Sequence, residues 1–155
     1  MNPFVLIGAA AAVLFGGWWA MRERDIDILA RTAWGEARGS GATGMQAVLN
    51  VIVNRHKSAA WYRAETLAGT ALKAYQFSVW LPGDPNYAKV TNVTENDAVF
   101  RTALGLAKAA VDGTLPDITG GATHYYAKSI SPPAWAVGAV RTADIGGHLF
   151  FKGVA

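Results

Sequence analysis

The chain has 155 residues, of which 52% are apolar, 11% aromatic and 16% charged, and it contains no cysteine. These values are typical of one globular domain with a packed core, and they exclude disulfides, a cysteine nucleophile and thiolate metal sites. The formal net charge of +3 is only a mild excess. Because the Lys and Arg residues are scattered, without the basic run that follows phosphates, we expect no nucleic-acid partner.

The first 21 residues form an uncharged segment, because every charged side chain lies at or after Arg22. A helix of about 20 residues spans roughly 30 Å, the thickness of a bilayer's hydrocarbon core. We therefore predict an N-terminal hydrophobic helix over 1–21, a transmembrane or signal-anchor segment, and one folded domain over 22–155. Its many Gly and Ala residues predict weak, releasable binding to lipid. A signal peptide cleaved in the Ala9–Ala12 run and a buried core helix are the alternatives.

Hydrophobic periodicity predicts four helices in the rest of the chain. The first begins with Asp25 as its N-cap. The second lies in TGMQAVLNVIVNRHK and begins with a capping box of Thr43 and Gln46. A shorter third helix lies in RAETLAGTALKA, and the fourth begins at Thr94 and stops at Gly113. The second helix should be buried along one stripe, which comprises Met45, Val48, Leu49, Ile52 and Val53.

Two short aromatic segments, ATHYYA and GGHLFFK, are bounded by Gly and Pro and predict the strands of a small sheet or hairpin. Between the third and fourth helices, the Pro and Gly residues of YQFSVWLPGDPNY predict an irregular loop over much of its length. Because the helices come first and the strands last, the predicted fold class is α+β.

One carboxylate lies in the segment WGEARGSG, which covers residues 34–41. Glu36 is close to Trp34 and precedes a Gly-rich turn that lets a ligand approach closely. A carboxylic acid packed against an indole in a partly desolvated cleft has a raised pKa, as a glycosidase general acid requires near neutral pH. The alternative is a solvated glutamate near a helix end that pairs with Arg38, and the spacing alone leaves both interpretations open.

The chain resembles, in five successive blocks, the cell wall hydrolases typified by the spore cortex-lytic enzyme SleB. The blocks cover about residues 28–151 and read ARTAWGEARGSGATGMQAVLNVIVNR, QFSVW, GGATHYY, PAWA and IGGHLFF. The resemblance implies a small α+β domain, lysozyme-like or lytic-transglycosylase-like, with Glu36 of the WGEARG block as the catalytic acid. Part of the family pattern reads EARGE, and this chain has Ser40 at the last acidic position.

The resemblance implies that the substrate is the glycan strand of peptidoglycan, cleaved at the MurNAc–GlcNAc β-1,4 bond through an oxocarbenium-like transition state. Glu36 would protonate the leaving oxygen. A muramidase-type hydrolase needs a second carboxylate, none lies inside the matching blocks, and Asp117 is the nearest candidate in sequence. A lytic transglycosylase needs none, because the C6 hydroxyl of the muramic acid attacks C1. We therefore favour a transglycosylase, and we expect no cofactor.

The remaining blocks supply a predicted glycan groove. Amide and hydroxyl groups would bond the polar groups of the sugars, and aromatic rings would stack on sugar faces. The candidates are Gln76, Phe77, Ser78, Trp80, His124, Tyr125, Tyr126 and Trp135. Tyr125 and Tyr126 point to opposite faces of a strand, so one of them should pack inward. No HxxxH or HExxH spacing occurs, so His124 and His148 predict structural imidazoles, and we expect no metal site.

A small lytic domain behind a weakly hydrophobic segment resembles a phage endolysin with a signal-anchor-release segment. Such an enzyme is exported tethered to the inner membrane and is then released on the periplasmic, wall-facing side. A bacterial wall-remodelling enzyme, a virion-borne lysin and a wall-binding module without turnover are the alternatives. We expect a monomer whose partners are peptidoglycan and, through residues 1–21, the membrane.

Overall fold

The computed structural model describes the backbone of residues 3–154 and the side chains of residues 16–154. Within that part, five α-helices precede a three-stranded antiparallel sheet, which confirms the predicted mostly helical α+β arrangement. The helices are α1 Pro3–Ala37, α2 Gly41–Lys57, α3 Leu67–Leu72, α4 Tyr87–Asn92 and α5 Ala98–Val111. Short 3₁₀ helices cover Arg38–Ser40, Ser78–Trp80 and Ala134–Ala136. The strands are β1 His124–Ala127, β2 Val140–Ile145 and β3 His148–Lys152.

Helix α1 is continuous, so the predicted helix start at Asp25 is wrong. The Asp25 carboxylate accepts a 2.8 Å hydrogen bond from the backbone N–H of Ala68, in the first turn of α3. An acidic group is favourable there because the first N–H groups of a helix have no partner within the helix. The predicted N-cap residue therefore caps a different helix across the core.

The predicted hydrophobic segment 1–21 falls largely outside the residues whose side chains are described. Among the described residues, no helix combines the length and the hydropathy needed to cross a membrane. Near the end of the segment, Trp18 and Trp19 are 55% and 53% exposed. Their indole rings meet edge-on, with centroids 5.5 Å apart. These two side chains are thus available for contact with a surface outside the domain.

Helix α2 is the central helix of the domain and contacts α1, α3 and α5. The capping box is wrong, because α2 begins at Gly41 and the Gln46 amide donates to the Pro116 carbonyl at 2.9 Å. Burial extends from the predicted stripe to other sides of the helix. The buried residues include Met45, Ala47, Val48, Leu49, Asn50, Val51 and Ile52.

Polar side chains cap the later helices. Thr66 and Asp97 accept hydrogen bonds from N–H groups in the first turns of α3 and α5, so the predicted start of α5 at Thr94 is too early. Gly113 follows α5 with a φ of 72°, the left-handed conformation that ends a helix, as predicted. The segment predicted to be irregular contains a 3₁₀ helix and leads into α4, which is too short for hydrophobic periodicity to reveal.

The sheet has the strand order β1-β3-β2, and β3 pairs antiparallel with both neighbours. Tyr125 lies opposite Phe150, and their rings stack at 5.4 Å. Phe150 is 1% exposed, so this face of the sheet packs on the helices and Tyr125 is the inward tyrosine. His124 and Tyr126 lie on the other face with Phe151. The sequence patterns do not indicate β2, a largely exposed strand with charged residues.

Helix α1 approaches its neighbours closely at Gly35. A Cβ atom added to Gly35 would lie 2.5 Å from Val90 Cγ1 and 3.0 Å from Val79 Cγ1. Both valines are buried in a packed core, so neither side chain has room to move. The absence of a side chain at Gly35 therefore lets the last turn of α1 lie against α4 and the Ser78–Trp80 turn.

We expect Gly35→Ala to lower the free energy of unfolding by roughly 1–3 kcal/mol, because the added methyl group overpacks the core. Gly105→Ala is the matched control, since Gly105 lies on α5 with open space around it. There the same change should raise stability by about 0.5–1 kcal/mol through helix propensity. Chemical denaturation of both variants measures the difference in the free energy of unfolding. An equal increase in both variants would contradict the close packing at Gly35.

Candidate active site

Glu36 lies in the last turn of α1, which ends at Ala37. Its Oε2 accepts a 2.9 Å hydrogen bond from the Tyr125 hydroxyl on β1. Its Oε1 is buried and makes no hydrogen bond of ordinary geometry within the described part of the chain, and the backbone N–H of Val79 is the other donor near the carboxyl group. The two oxygens of this carboxyl group are therefore in different states, one held by a donor and the other free to carry a proton.

Burial raises the pKa of Glu36 above its usual value, because an ionised carboxylate loses its hydration in this site. The hydrogen bond from Tyr125 lowers the pKa, since it stabilises the charged form, and the backbone N–H of Val79 acts in the same direction. Among charged neighbours, Asp84 raises the pKa and His148 lowers it. The ion pairs found in the described residues do not involve Glu36. A carboxyl group that holds its proton above the usual range can act as a general acid.

Trp34 and Glu36 lie two positions apart on α1, a spacing at which helix residues do not face each other. Instead, Trp34 packs edge-on against Phe100, with ring centroids 6.5 Å apart. Arg38 does not pair with Glu36 either. Its guanidinium lies 4.5 Å from the Trp34 ring centre and donates to Asn86 Oδ1 at 2.8 Å. The Glu36–Arg38 pair is therefore wrong.

The sheet supplies the wall of the site. Tyr125 stacks on Phe150, and the His148 ring packs edge-on against Tyr125 at 5.4 Å. Burial raises the pKa of Tyr125 well above its ordinary value, and the negative charge of Glu36 acts in the same direction. The hydroxyl group therefore keeps its proton and remains a donor to Glu36.

Asp84 is a second carboxylate that acts on Glu36, and sequence analysis does not single it out. It accepts a 2.7 Å hydrogen bond from the Asn86 backbone N–H, which lowers the pKa of Asp84, and the Ser78 hydroxyl adds to this effect. Asp84 is therefore ionised at neutral pH. Its only sequence signal is the turn pattern GDPN, which predicts a turn and no chemistry.

Asp117, the predicted second carboxylate, holds its own loop together. Its oxygens accept hydrogen bonds of 2.6–3.1 Å from the Thr119 N–H and hydroxyl, the Gly121 N–H and the Asn54 amide. Partial burial raises the pKa of Asp117, but these bonds outweigh it and lower the pKa below its ordinary value. Because all four acceptor positions are engaged, Asp117 is poorly suited to activate a water molecule.

The QFSVW segment packs partly into the core. Phe77 is 3% exposed, so its ring offers no face to a sugar. Trp80 donates from Nε1 to Thr32 Oγ1 on α1 at 2.9 Å, which ties the segment to the helix that carries Glu36. Gln76 is half-buried and Ser78 is exposed. Two aromatic residues thus fix the segment, and two polar residues keep accessible surface.

Three other predicted groove residues and Phe151 form what we call the outer aromatic cluster, on the side of the sheet opposite Tyr125. The Trp135 ring lies 5.2 Å from His124, 5.8 Å from Tyr126 and 5.6 Å from Phe151. The cluster comprises His124, Tyr126, Trp135 and Phe151. The structure therefore brings Tyr125 to Glu36 and packs the other predicted aromatic residues of β1 behind the sheet.

The two histidines considered for a metal site lie on opposite faces of the sheet. His124 packs against Trp135, and His148 packs against Tyr125. Burial lowers the pKa of His124 to about 4, so its imidazole is neutral at pH 7. Among the described side chains, no group of three His, Asp or Glu residues is arranged to hold a metal ion.

Ser40 occupies the position at which part of the family pattern has an acidic residue. Its hydroxyl donates to the Gly146 carbonyl at 2.7 Å, in the turn between β2 and β3. A Cβ atom on Gly146 would lie 2.8 Å from Ser40 Cβ, so the two segments are in close contact. Ser40 therefore joins the start of α2 to the hairpin that carries His148.

The fold and the site define a small α+β domain with a carboxylic acid between a helix end and a sheet. The family model described as Cell Wall Hydrolase matches residues 39–151, so the chain belongs to the cell wall hydrolase family. The match begins just after Glu36. The predicted SleB-like resemblance is confirmed by this match together with the structural likeness.

Two solved structures are similar over most of the chain. The catalytic domain of the Bacillus cereus SleB protein has a TM-score of 0.66 and 28% identity, covering 84% of this chain and 91% of that one. The catalytic domain of the germination-specific lytic transglycosylase SleB from Bacillus anthracis has a TM-score of 0.65 and 28% identity, covering 83% and 94%.

The spore cortex-lytic enzyme of Halalkalibacterium halodurans is 27% identical over 128 residues, which cover 83% of this chain and 34% of that protein. The chain spans between a third and a half of the length of the curated relatives it matches. The likeness to these longer proteins is therefore confined to one part of each of them.

We expect Glu36→Gln to stabilise the fold at neutral pH by roughly 1 kcal/mol, because the amide has no ionised form that loses hydration in the buried site. The raised pKa means that the folded wild type holds this proton more tightly than the unfolded chain. Wild-type stability thus falls as pH rises from the unfolded pKa through the folded one. Thermal melts at pH 4 and pH 7 measure the difference in melting temperature between Glu36→Gln and wild type, which should be larger at pH 7. A difference that does not change with pH would contradict the raised pKa.

Proposed function

We propose that the chain cleaves peptidoglycan glycan strands at the MurNAc–GlcNAc β-1,4 bond, as a lytic transglycosylase with Glu36 as acid and then base. The observation that carries the proposal is a buried carboxyl group with one oxygen held by Tyr125 and the other without a partner. Membership of the cell wall hydrolase family supports the substrate class. The proposal includes the lysozyme-like fold that the resemblance implies.

In the first step, the proton on Glu36 Oε1 moves to the glycosidic oxygen. The bond from C1 of the muramic acid to that oxygen breaks, its electron pair goes to the oxygen, and C1 becomes oxocarbenium-like. The GlcNAc side leaves as an alcohol. Tyr125 continues to donate to Oε2, so the new carboxylate keeps one charge-assisted hydrogen bond while it is buried.

In the second step, the C6 hydroxyl oxygen of the same muramic acid attacks C1 and forms a new C–O bond. Its proton moves to Glu36, which restores the acid for the next cycle. No water enters, and the product ends in a 1,6-anhydro sugar. The chemistry needs one carboxyl group, which agrees with an Asp117 whose lone pairs are already engaged by its own loop.

A muramidase-type hydrolase is the second candidate, and Asp84 is the observation that favours it. This carboxylate is ionised and its charge acts on Glu36, so it could serve as the base that activates water from across the bond. A bacterial wall-remodelling enzyme or a virion-borne lysin would use either chemistry. A wall-binding module without turnover has no need of a buried acid with one free oxygen.

The predicted groove residues divide by role in this proposal. Gln76 and Ser78 supply the amide and hydroxyl groups that bond the sugars, because both keep accessible surface. Tyr125 contacts the sugar next to the acid. The remaining candidates support the groove from behind, through the core or the outer aromatic cluster: Phe77, Trp80, His124, Tyr126 and Trp135.

We further propose that the chain acts as a phage endolysin, tethered by residues 1–21 to the inner membrane and released toward the wall. The exposed Trp18 and Trp19 suit a membrane interface. Arg22 follows them, and in the proposed topology it lies outside the cytoplasm, where the positive-inside rule disfavours Lys and Arg. Its guanidinium is held by Asp112 at 2.6 Å and lies 5.6 Å from the Trp19 ring, so its charge is engaged by the domain itself.

We expect Glu36→Gln to lower the rate of wall lysis by roughly 10²–10⁴, because the amide keeps the shape of the side chain but cannot deliver the proton. Asp117→Asn is the matched carboxylate-to-amide control. It should lower thermal stability, since an amide cannot accept all four bonds, and retain most turnover per folded molecule. Turbidity loss of a cell-wall suspension, corrected for the folded fraction, gives the rates. Near wild-type lysis by Glu36→Gln would refute the assignment of the acid.

The products separate the two mechanisms. A transglycosylase yields muropeptides that end in 1,6-anhydro-muramic acid, lighter by one water than hydrolysed ends and resistant to borohydride reduction. Mass spectrometry of digested peptidoglycan, before and after borohydride treatment, measures the ratio of the two ends. Reducible muramic acid as the main end would establish hydrolysis instead, and loss of turnover in an Asp84→Asn variant would then identify the base.

The anchor is tested by making it more hydrophobic. An added Cβ atom at Gly16 or Gly17 meets none of the described residues within 4 Å, and replacing both glycines with Leu should strengthen retention by lipid. We expect more protein in the membrane fraction and later lysis. Gly105→Leu adds an exposed leucine on α5 and should leave fractionation unchanged. Equal soluble fractions for wild type and the Gly16/Gly17 variant, or a mature N-terminus after Ala12, would contradict the releasable anchor.

A further inference from the structure

Arg55, in the last turn of α2, is a buried cation. It is 6% exposed, and the ion pairs found in the described residues do not include it. Burial lowers the pKa of Arg55, because the charged form loses hydration. A buried charge without a counter-ion costs stability unless hydrogen bonds compensate it. The groups that supply those bonds therefore indicate its role.

The guanidinium group of Arg55 joins two segments that are distant in sequence. Its Nε donates to the Thr123 carbonyl at 2.7 Å, and its Nη1 donates to the Gln76 carbonyl at 3.3 Å. Its Cζ lies 5.0 Å from the ring centre of Phe77 and 5.8 Å from that of Tyr62. One planar group thus holds the QFSVW segment and the residue before β1 at a fixed separation.

The bond to Thr123 leads directly to the candidate acid. Thr123 lies two residues before Tyr125, and its own N–H donates to the Phe151 carbonyl at 3.0 Å, so this part of the backbone is held from two sides. Tyr125 in turn donates to Glu36. The positive charge of Arg55 also acts on Tyr125, where it opposes the large increase in pKa caused by burial.

We propose that Arg55 is a positioning residue for Glu36: it holds the backbone at Thr123 so that Tyr125 meets Oε2 and Oε1 is left to carry the proton. Through its second bond, Arg55 also keeps Gln76 at a set distance from the acid. Gln76, which is proposed to bind sugar, and the acid Glu36 are then held in a fixed arrangement. The catalytic part of this inference rests on the proposed function.

Charged and titratable groups face Glu36 from four elements. Tyr125 is on β1, His148 on β3, Asp84 in the loop before α4 and Arg55 on α2. Arg55 makes no hydrogen bond or ion pair with Glu36 in the described part of the chain, whereas its bond to the Thr123 carbonyl lies two residues from Tyr125, which donates to Glu36. The influence of Arg55 on Glu36 therefore passes mainly through Tyr125, and its loss should have little effect once the tyrosine hydroxyl is gone.

A double-mutant cycle tests this dependence, with Arg55→Met and Tyr125→Phe made singly and together. Activity falls as pH rises through the pKa of Glu36, so the alkaline limb of kcat/KM reports that pKa. Each single change weakens or removes the bond that stabilises the carboxylate. We expect each to move the limb to higher pH, by roughly 0.5–1 pH unit. In the Tyr125→Phe background, Arg55→Met should move it no further.

Arg31 offers a control, because its guanidinium also bonds two backbone carbonyls and lies near an aromatic ring. It differs in that it pairs with Asp27 at 2.9 Å, whereas the ion pairs found in the described residues do not include Arg55. It donates to the carbonyls of Val90 and Val93 at 2.6 and 3.2 Å and lies 5.4 Å from the Phe100 ring centre. Arg31→Met should lower the melting temperature and leave the alkaline limb in place. A purely structural role for Arg55 would give the same result as this control.

Carbon-13 NMR of the glutamate carboxyl groups gives a readout that does not depend on turnover. The chain has four glutamates, and comparison with Glu36→Gln identifies the signal of Glu36. The inference is supported if the Glu36 titration midpoint is higher in Arg55→Met than in wild type, and if the double variant has the same midpoint as Tyr125→Phe alone. This result counts even if no glycan is cleaved. No shift, or equal shifts in both backgrounds, would overturn the inference. If Arg55→Met does not fold, Arg55→Lys, which cannot bond both carbonyls, enters the same cycle with the same expectations.

Discussion

The 2.9 Å hydrogen bond from the Tyr125 hydroxyl to Glu36 Oε2 is the contact on which the account of the site depends. It joins the end of α1 to the first strand of the sheet, and neighbouring residues pack against each of the two partners. The turn that carries Glu36 packs closely through Gly35, and Tyr125 stacks on Phe150. The bond occupies Oε2, whereas Oε1 is buried without a bond of ordinary geometry, and this asymmetry supports the proposed role of Glu36 as proton donor.

The state of Glu36 is a balance between opposing effects. Burial and the charge of Asp84 raise its pKa, while the bond from Tyr125, the backbone N–H of Val79 and the nearby His148 lower it. Burial alone would hold the proton too firmly for Glu36 to act as a base, and a fully solvated group would lose the proton before substrate arrives. The surrounding elements therefore set both halves of the proposed cycle. The site is also a source of instability, as buried functional charges commonly are.

Sequence patterns predict what local signals encode and fail where tertiary contacts decide. The stripe of α2 is confirmed because periodicity reports a buried face. Asp25 and Gln46 fit capping patterns, yet each bonds a backbone group far away in sequence. In the site, the WGEARG block points to Glu36, but Asp84 resembles an ordinary turn residue and Arg55 an ordinary helix-end cation. Their partners come from other segments, so no spacing within the sequence reveals them.

The central claim is that Glu36 is the acid that meets the scissile bond. A crystal structure of Glu36→Gln with a bound MurNAc–GlcNAc oligomer measures the relevant distance directly. The account predicts that the glycosidic oxygen lies roughly 2.6–3.2 Å from the side-chain atom that replaces Oε1, with the Tyr125 hydroxyl on the other atom. A glycan bound across the outer aromatic cluster, with its β-1,4 bond beyond hydrogen-bond reach of residue 36, would contradict it.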